Sequence, residues 1–271
     1  MSTKKKRKLT ARNADKHDLY QKSVQAPDVD AHFLARLYKK ANDKPARLFR
    51  EDFCGTAILS CEFVKRHRKN RAVGVDLHSP TLDWGRKHNI NKLSADQQKR
   101  VRLIQDNVLN VRSPKADIIA AMNFSYAVFK TRKDLGSYIS NAYRSLDEDG
   151  LFVIDAWGGA QSQELMEERK RMSGFTYVWD QDDFDPVSHH ILCKIHFEFR
   201  DGSRMRNAFI YDWRLWTLPE MQELMADAGF QDIHVLWEGT EKKTGAGNGV
   251  FRRVNRGGDE LAWIAYIVGK K

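Results

Sequence analysis

Two short apolar stretches, each closed by an acid, frame a tight turn and an amphipathic segment, and this arrangement restricts the chain to an α/β architecture. The first reads Ala46-Arg47-Leu48-Phe49-Arg50-Glu51-Asp52-Phe53-Cys54-Gly55-Thr56-Ala57 and the second Arg71-Ala72-Val73-Gly74-Val75-Asp76. Strand, turn, helix and strand in this order is the layout of a mononucleotide-type βαβ unit. Asp76 falls where a carboxylate accepts hydrogen bonds from ribose hydroxyls. Glu51 and Asp52 narrow the ligand further. A pyrophosphate docks on a helix N-terminus, whose N–H groups and dipole favour negative charge, so acids beside that turn repel it. A nucleoside that carries positive charge suits them.

The alternation continues. Val101-Arg102-Leu103-Ile104 is followed by Asp106, and Asp117-Ile118-Ile119-Ala120-Ala121-Met122-Asn123 reads as a fourth strand. At these residues the chain resembles a class I S-adenosylmethionine-dependent methyltransferase. The family's first motif is an acid, a spacer and a glycine-rich run often written Gly-Cys-Gly-Thr-Gly. Cys54-Gly55-Thr56 matches its centre, while Phe53 and Ala57 stand where the flanking glycines are usual and Asp52 where an apolar residue is usual. The resemblance covers Leu48 to Trp157 well and the rest loosely. It implies S-adenosyl-L-methionine as cofactor, whose ammonium and sulfonium suit an acidic turn. It also implies that Asp76 takes the ribose hydroxyls, Leu77 lies against the adenine, and Asp106 or Asn107 reads the adenine amine. Cys54 and Gly55 bring the backbone close, Glu51 serves the cation-bearing end, and Asn123 lies near the sulfonium. Tyr20 either approaches the methionine end or packs a helix onto the sheet.

With 271 residues, 41% apolar content and 17 glycines, the chain suffices for one decorated α/β domain. It shows neither an apolar run of membrane-spanning length nor a signal-peptide pattern, so a membrane partner is not expected. Cys54, Cys61 and Cys193 lack metal-ligand pairing, so no metal is expected, and they fit a reducing compartment. The expected location is cytoplasmic, or nuclear in a eukaryotic cell. The formal charge of +10 is concentrated: Lys4, Lys5, Lys6, Arg7, Lys8 and Arg12 supply six charges, leaving +4 elsewhere. That run reads as a solvated, disordered tail, with a grip on nucleic acid as the sharper alternative.

The expected fold is a doubly wound, mostly parallel seven-stranded sheet of Rossmann-like type carrying an inserted antiparallel β-hairpin. Residues 1–16 form the tail and 17–271 the methyltransferase domain, with 174–216 as the inserted subdomain. A helix follows Pro27, with Val29, Phe33, Leu37 and Tyr38 near one face. Thr56 caps the helix after the turn, and Ser79-Pro80 opens the next. Leu135, Tyr138, Ile139, Ala142 and Leu146 mark another, and Leu151 to Asp155 a fifth strand. After Gly174 the period becomes two. An Arg200-Asp201-Gly202 loop with a left-handed glycine pairs Phe197 with Met205 and Glu198 with Arg204. The last helix starts at Thr217-Leu218-Pro219-Glu220 and stops at Gly229. Ile233 to Trp237, a long loop, and Leu261 to Val268 close the sheet.

Ligands in such sheets lie outside the carboxyl ends of the strands, which gathers Glu51, Asp76, Asp106, Asn123 and Asp155 around one crevice. Methyl transfer asks mainly for alignment and exclusion of water. A base is needed only where the acceptor is an ammonium or hydroxyl at neutral pH, and Tyr126, His189, His190, His196 and Asp212 are the candidates. Tyr211-Asp212-Trp213-Arg214-Leu215-Trp216 is similar to segments of small-molecule methyltransferases whose inserted sheet roofs the site. On that reading Arg214, Trp157, Tyr177, Trp179 and Trp213 are pocket walls; otherwise the aromatics are core. The expected activity is methyl transfer to nitrogen or oxygen of a small molecule. The alternatives are an RNA or protein methyltransferase using the basic tail, a non-catalytic nucleic-acid-binding protein, and a nicotinamide dehydrogenase, which the missing glycines disfavour.

Overall fold

The computed structural model describes residues 8–241 and 246–271. The chain divides into two compact units: the described residues up to Ala26 with Gln163–Leu215, and Pro27–Ser162 with Trp216–Lys271.

The second unit holds the parallel sheet. Its strands are β1 (Leu48–Asp52), β2 (Arg71–Asp76), β3 (Val101–Gln105), β4 (Ala116–Ala121) and β5 (Leu146–Gly158), and all the pairings among them are parallel. Strands β10 (Gln231–Thr240), β11 (Gly247–Val254) and β12 (Trp263–Lys270) add antiparallel neighbours beyond β5. The order is β11-β10-β12-β5-β4-β1-β2-β3. The sheet thus has eight strands where seven were expected, because β11 forms within the segment read as a long loop; residues 242–245 of that segment lie outside the described residues.

Central strands buried on both faces must be apolar throughout, and β4 is. Ile118 and Ala120 face one cluster with α2 (Pro27–Asn42) and α3 (Ile58–Lys65). Ile119 and Ala121 face the other with α6 (Arg132–Ser145) and α7 (Leu218–Ala228). Helices therefore cover both faces, as a doubly wound sheet requires. The buried stripe of α2 is Ala31, Leu34 and Tyr38, a rotation from the expected face, and Val29 is exposed. Thr217 caps α7 in a reciprocal box with Glu220, and left-handed Gly229 ends it. Thr56 is not the cap of α3; that position is Ala57.

The first unit is a four-stranded antiparallel sheet, β6 (Met166–Arg171), β7 (Phe175–Asp185), β8 (His190–Phe199) and β9 (Arg204–Arg214), with α1 (Lys16–Val24). It begins earlier than residue 174 and has two strands more than the expected hairpin. Register parity in the hairpin is as the alternation required: Phe197 pairs with Met205 and Glu198 with Arg204, and Gly202 is left-handed at φ 83°. Leu19 of α1 packs on Phe175, Ile195, Phe197, Phe199 and Ala208. Of the segment read as a disordered tail, residues 1–7 lie outside the described residues, and the remainder departs from that reading. Thr10 to Ala14 closes a hydrogen-bonded turn, Ala11 N–H donates to Ser203 Oγ at 2.9 Å, and Leu9 packs on the same cluster. Among the described residues no helix is long and apolar enough to cross a membrane.

Candidate ligand-binding crevice

The turn from β1 to α3 has the backbone of a three-glycine loop with only one glycine. Phe53, Gly55 and Ala57 lie at φ 55°, 51° and 54°, so every position at which the resembling family places glycine is left-handed here. An L-residue in that region is strained by about 1–2 kcal/mol, so the surrounding structure must impose it. The contacts that do so are on both sides. Phe53 packs edge-on against Tyr138 and Phe129, and Ala57 is wholly buried. Cys54 N–H donates to Val75 O at 2.9 Å and Ala57 N–H to Cys54 O at 2.7 Å. Close approach needs small neighbours: a Cβ at Gly74 would lie 2.8 Å from Cys54 Sγ, and one at Gly85 of α4 (Ser79–His88) 2.5 Å from Thr56 O.

At the end of β2 this turn meets Asp76. Gly55 N–H donates to Asp76 Oδ2 at 2.7 Å and His78 N–H to Oδ1 at 2.8 Å. A carboxylate has about four acceptor sites, so two backbone bonds orient Asp76 and leave capacity for hydroxyl donors. Asp106 and Asn107 follow β3, where Asp106 Oδ1 accepts from Asn107 N–H at 2.6 Å and Asn110 Nδ2 at 2.9 Å, and Asn107 Oδ1 accepts from Leu109 N–H at 3.0 Å. After β4 the left-handed pair Asn123 and Phe124 points both N–H groups at Asp155, at 2.7 and 2.8 Å.

Glu51 is 5% exposed and lies behind the turn, where Oε2 accepts from Ser60 N–H at 2.9 Å and Ser60 Oγ at 2.6 Å. Burial outweighs these bonds and pushes its carboxyl up to about 8, with Asp76 and Asp30 adding to the rise. Asp155 is likewise raised to about 7 by burial against the pull of its two N–H donors, with Asp30 again raising it. Asp30 itself, in the first turn of α2, is raised to about 6 by burial and by Asp28. These carboxyls act on one another, and the charges felt by Glu51 and Asp155 are those of other acids. A cationic ligand relieves that arrangement, and an anionic one worsens it.

The structure therefore brings Glu51, Cys54, Gly55, Asp76, Leu77, Asp106, Asn107, Asn123 and Tyr126 to the carboxyl ends of neighbouring parallel strands. Cys54 offers backbone only, because its thiol is buried against Gly74 and burial holds it well above the ordinary range. Leu77 is 64% exposed. Tyr126 is buried in the core, and burial together with Asp155 pushes its hydroxyl far up, which disfavours it as a base. Asp30 was missed by sequence reasoning, since an acid in a first helical turn reads as a partner of the helix dipole.

Tyr20, Asp212 and Arg214 belong to the other unit. Tyr20 lies 4.9 Å from Phe209, ring to ring, and hydrogen-bonds Tyr211. The rings of Trp179, Tyr211 and Trp213 lie together along one face of that sheet, and Tyr177 packs with its apolar cluster. Asp212 is exposed opposite Leu192, and Arg214 half-buried opposite His190. Trp157, in the parallel-sheet unit, packs on Phe124 at 4.6 Å. His196 is structural: Nδ1 accepts from Asn207 N–H at 2.8 Å, which leaves the proton on Nε2 facing Asp180 at 3.0 Å. That tautomer also removes the lone pair a cation would need from Glu167, Asp180 and His196, whose ligand atoms lie within 4.8 Å of one another.

The fold is that of class I S-adenosylmethionine-dependent methyltransferases. Three solved structures are similar over nearly their whole lengths. DesVI of Streptomyces venezuelae is 17% identical with a TM-score of 0.68, over 95% of this chain and 98% of its own. An S-adenosylmethionine-dependent methyltransferase of Clostridium acetobutylicum is 16% identical with a TM-score of 0.67, over 94% and 96%. CalS10, an amino pentose methyltransferase of Micromonospora echinaspora solved with S-adenosylmethionine bound, is 14% identical with a TM-score of 0.65, over 94% and 96%. No family model and no curated protein sequence matches this chain.

Proposed function

We propose that this protein transfers the methyl group of S-adenosyl-L-methionine to a nitrogen or oxygen of a small molecule. The observation that carries this reading is the gathering of Glu51, Asp76 and Asp155 at the carboxyl ends of neighbouring parallel strands, with Asp30 acting on Glu51 and Asp155, on a methyltransferase fold whose acidic turn is unsuited to phosphate. Asp76 would hold the ribose hydroxyls, Gly55 would admit the close approach, Leu77 with Asp106 or Asn107 would meet the adenine, and Glu51 would balance the ammonium. Asn123 would lie near the sulfonium. When bound, the cofactor supplies an electrophilic methyl on a good leaving group. The chain's task is then to align the acceptor, exclude water and take up a proton where the acceptor has one to lose. Asp155, buried at the end of the β4–β5 pairing and raised to about 7, has a pKa suited to that uptake. The likeness to an amino pentose methyltransferase supports an amine-bearing acceptor.

Calorimetric titration of S-adenosylmethionine, S-adenosylhomocysteine and NADH into wild type and Asp76→Ala tests the reading. Two charge-assisted bonds removed together, with water replacing the carboxylate in part, amount to roughly 2–4 kcal/mol, or about 30- to 1,000-fold in Kd for both adenosyl ligands. Tight NADH binding, or adenosyl binding indifferent to Asp76, would overturn it.

A further inference from the structure

The proposed reaction leaves unused the two most thoroughly buried charged residues among the described residues of the parallel-sheet unit. Arg50 and Asp52 are each 1% exposed and stand at alternate positions of β1, on the face toward α6. Arg50 Nε donates to Asp52 Oδ1 at 2.6 Å and Nη2 to Oδ2 at 3.2 Å, while Tyr138 Oη donates to Oδ2 at 3.1 Å. The guanidinium also reaches outward. Nη1 donates to Val111 O at 2.7 Å and Nη2 to Val108 O at 3.2 Å. Asn141 Nδ2 reaches the same two carbonyls at 2.9 and 2.7 Å, and Ser145 Oγ reaches Val111 O at 3.2 Å.

Residues 106–115 contain neither strand nor helix, so beyond the bond from Asp106 N–H to Asp76 O at 3.2 Å no ladder fixes their backbone. Five side-chain bonds converging on two of their carbonyls do so instead. Stability alone does not account for such a pair, because exchanging a buried ion pair for apolar residues of similar volume is often neutral or stabilising. Asp52, moreover, occupies a position where an apolar side chain would serve the core.

Resting on the adenosyl-cofactor reading above, we propose that Arg50 is a positioning residue for adenine recognition. Through Val108 and Val111 it sets the segment that carries Asp106 and Asn107, and through Asp52 it locks that segment to the left-handed turn beginning at Phe53. Arg50 touches no ligand. Its effect passes through the backbone it holds, so it governs how sharply one base is distinguished from another, with the core left intact.

The test compares the full-length wild type with the double variant Arg50→Met/Asp52→Leu, which removes both charges together. Affinity is measured for S-adenosylhomocysteine and for S-inosylhomocysteine, in which a carbonyl replaces the adenine amine, alongside thermal unfolding. The expected result is a wild-type preference for the adenine ligand of at least about tenfold that falls below about threefold in the double variant at a nearly unchanged midpoint. Amide exchange at residues 106–112 should quicken selectively. If the double variant does not fold, Asn141→Leu/Ser145→Ala strips three of the five bonds and keeps the ion pair, and should lower the preference in the same direction. An unchanged preference in the folded variant would overturn the inference alone, whereas a wild type that binds neither ligand would overturn the methyltransferase reading and this one with it.

Discussion

At the scale of single residues, the glycines separate a ligand surface from a packing constraint. A Cβ added at Gly55 meets nothing closer than Thr81 Cγ2 at 3.8 Å, so Gly55→Ala carries mainly the left-handed penalty of about 1–2 kcal/mol. If adenosine lies against that backbone, affinity for S-adenosylhomocysteine should fall at least about tenfold, well beyond the stability effect. Gly85→Ala should do the reverse, since its Cβ would sit 2.5 Å from a carbonyl oxygen: stability falls by about 1–3 kcal/mol. Melting curves and titrations on both variants decide this, and parallel losses in both would erase the distinction. The raised acids make a second prediction. Unfolded carboxyls ionise near about 4, while Asp30, Asp155 and Glu51 reach about 6, 7 and 8 in the fold. Over that interval the folded state binds more protons than the unfolded state. Their contribution is therefore fully present below about pH 4 and is lost progressively from there until pH has risen through about 6 to 8. The midpoint of the free protein should fall from about pH 5.5 to 8.5 while affinity for S-adenosylmethionine climbs, and Glu51→Gln should flatten both trends. A profile insensitive to that substitution would mean that Glu51 is already ionised throughout.

At the scale of elements, what the sequence disclosed depended on whether a local rule was strong enough to act alone. The Thr217 box, the Gly229 stop and the 197–205 register were legible because capping chemistry and side-chain parity are decided within a few residues. Strand β6 was not, because Met-Glu-Glu-Arg-Lys-Arg has no apolar alternation; it is an edge strand whose charges discourage further pairing. The cap of α3 was misplaced for a related reason. Thr56 has the chemistry of a cap, but the turn puts Ala57 there in a left-handed conformation. Helix α1 has a dependable cap in Asp15, whose Oδ1 accepts from His17 N–H at 2.9 Å and Asp18 N–H at 3.2 Å. Asp15→Ala should cost α1 about 1 kcal/mol. Hydrogen exchange confined to residues 16–24 is the suitable measurement, because it isolates one helix from the rest of the molecule. Undiminished protection there would show that packing of Leu19, rather than the cap, holds the helix.

At the scale of the whole molecule, the inserted β subdomain was legible from its change of period, but not its union with the N-terminal segment more than a hundred residues away, a pairing no local pattern encodes. The placement of Glu51, Asp76, Asp106 and Asn123 was far more legible, since parallel strands must deliver their carboxyl ends to one edge. The same geometry sorts charge. Residues 65–71 carry five cations and no acid, and residues 99–102 three cations and no acid. They lie at the starts of β2 and β3, while Asp76 and Asp106 lie at their ends. His67, in the midst of the first group, has its pKa lowered by burial and by Arg47, Arg68, Lys69 and Arg100, a sign of the local positive field. A six-residue strand such as β2 separates its ends by roughly 17–20 Å, about two screening lengths at physiological salt. Each end should accordingly respond to charge without informing the other. If the alternative of nucleic-acid binding holds, Arg68→Glu/Lys69→Glu should weaken binding of a short DNA duplex and lower the dependence of log K on log salt by about one for each phosphate no longer neutralised. Affinity for S-adenosylhomocysteine should stay within about twofold of wild type. A matching measurement on a chain lacking residues 1–7 assigns the share of any such affinity due to Lys4, Lys5, Lys6 and Arg7. A fall in adenosyl affinity in the charge-reversed protein would mean that the cationic end and the acidic crevice are coupled through the sheet.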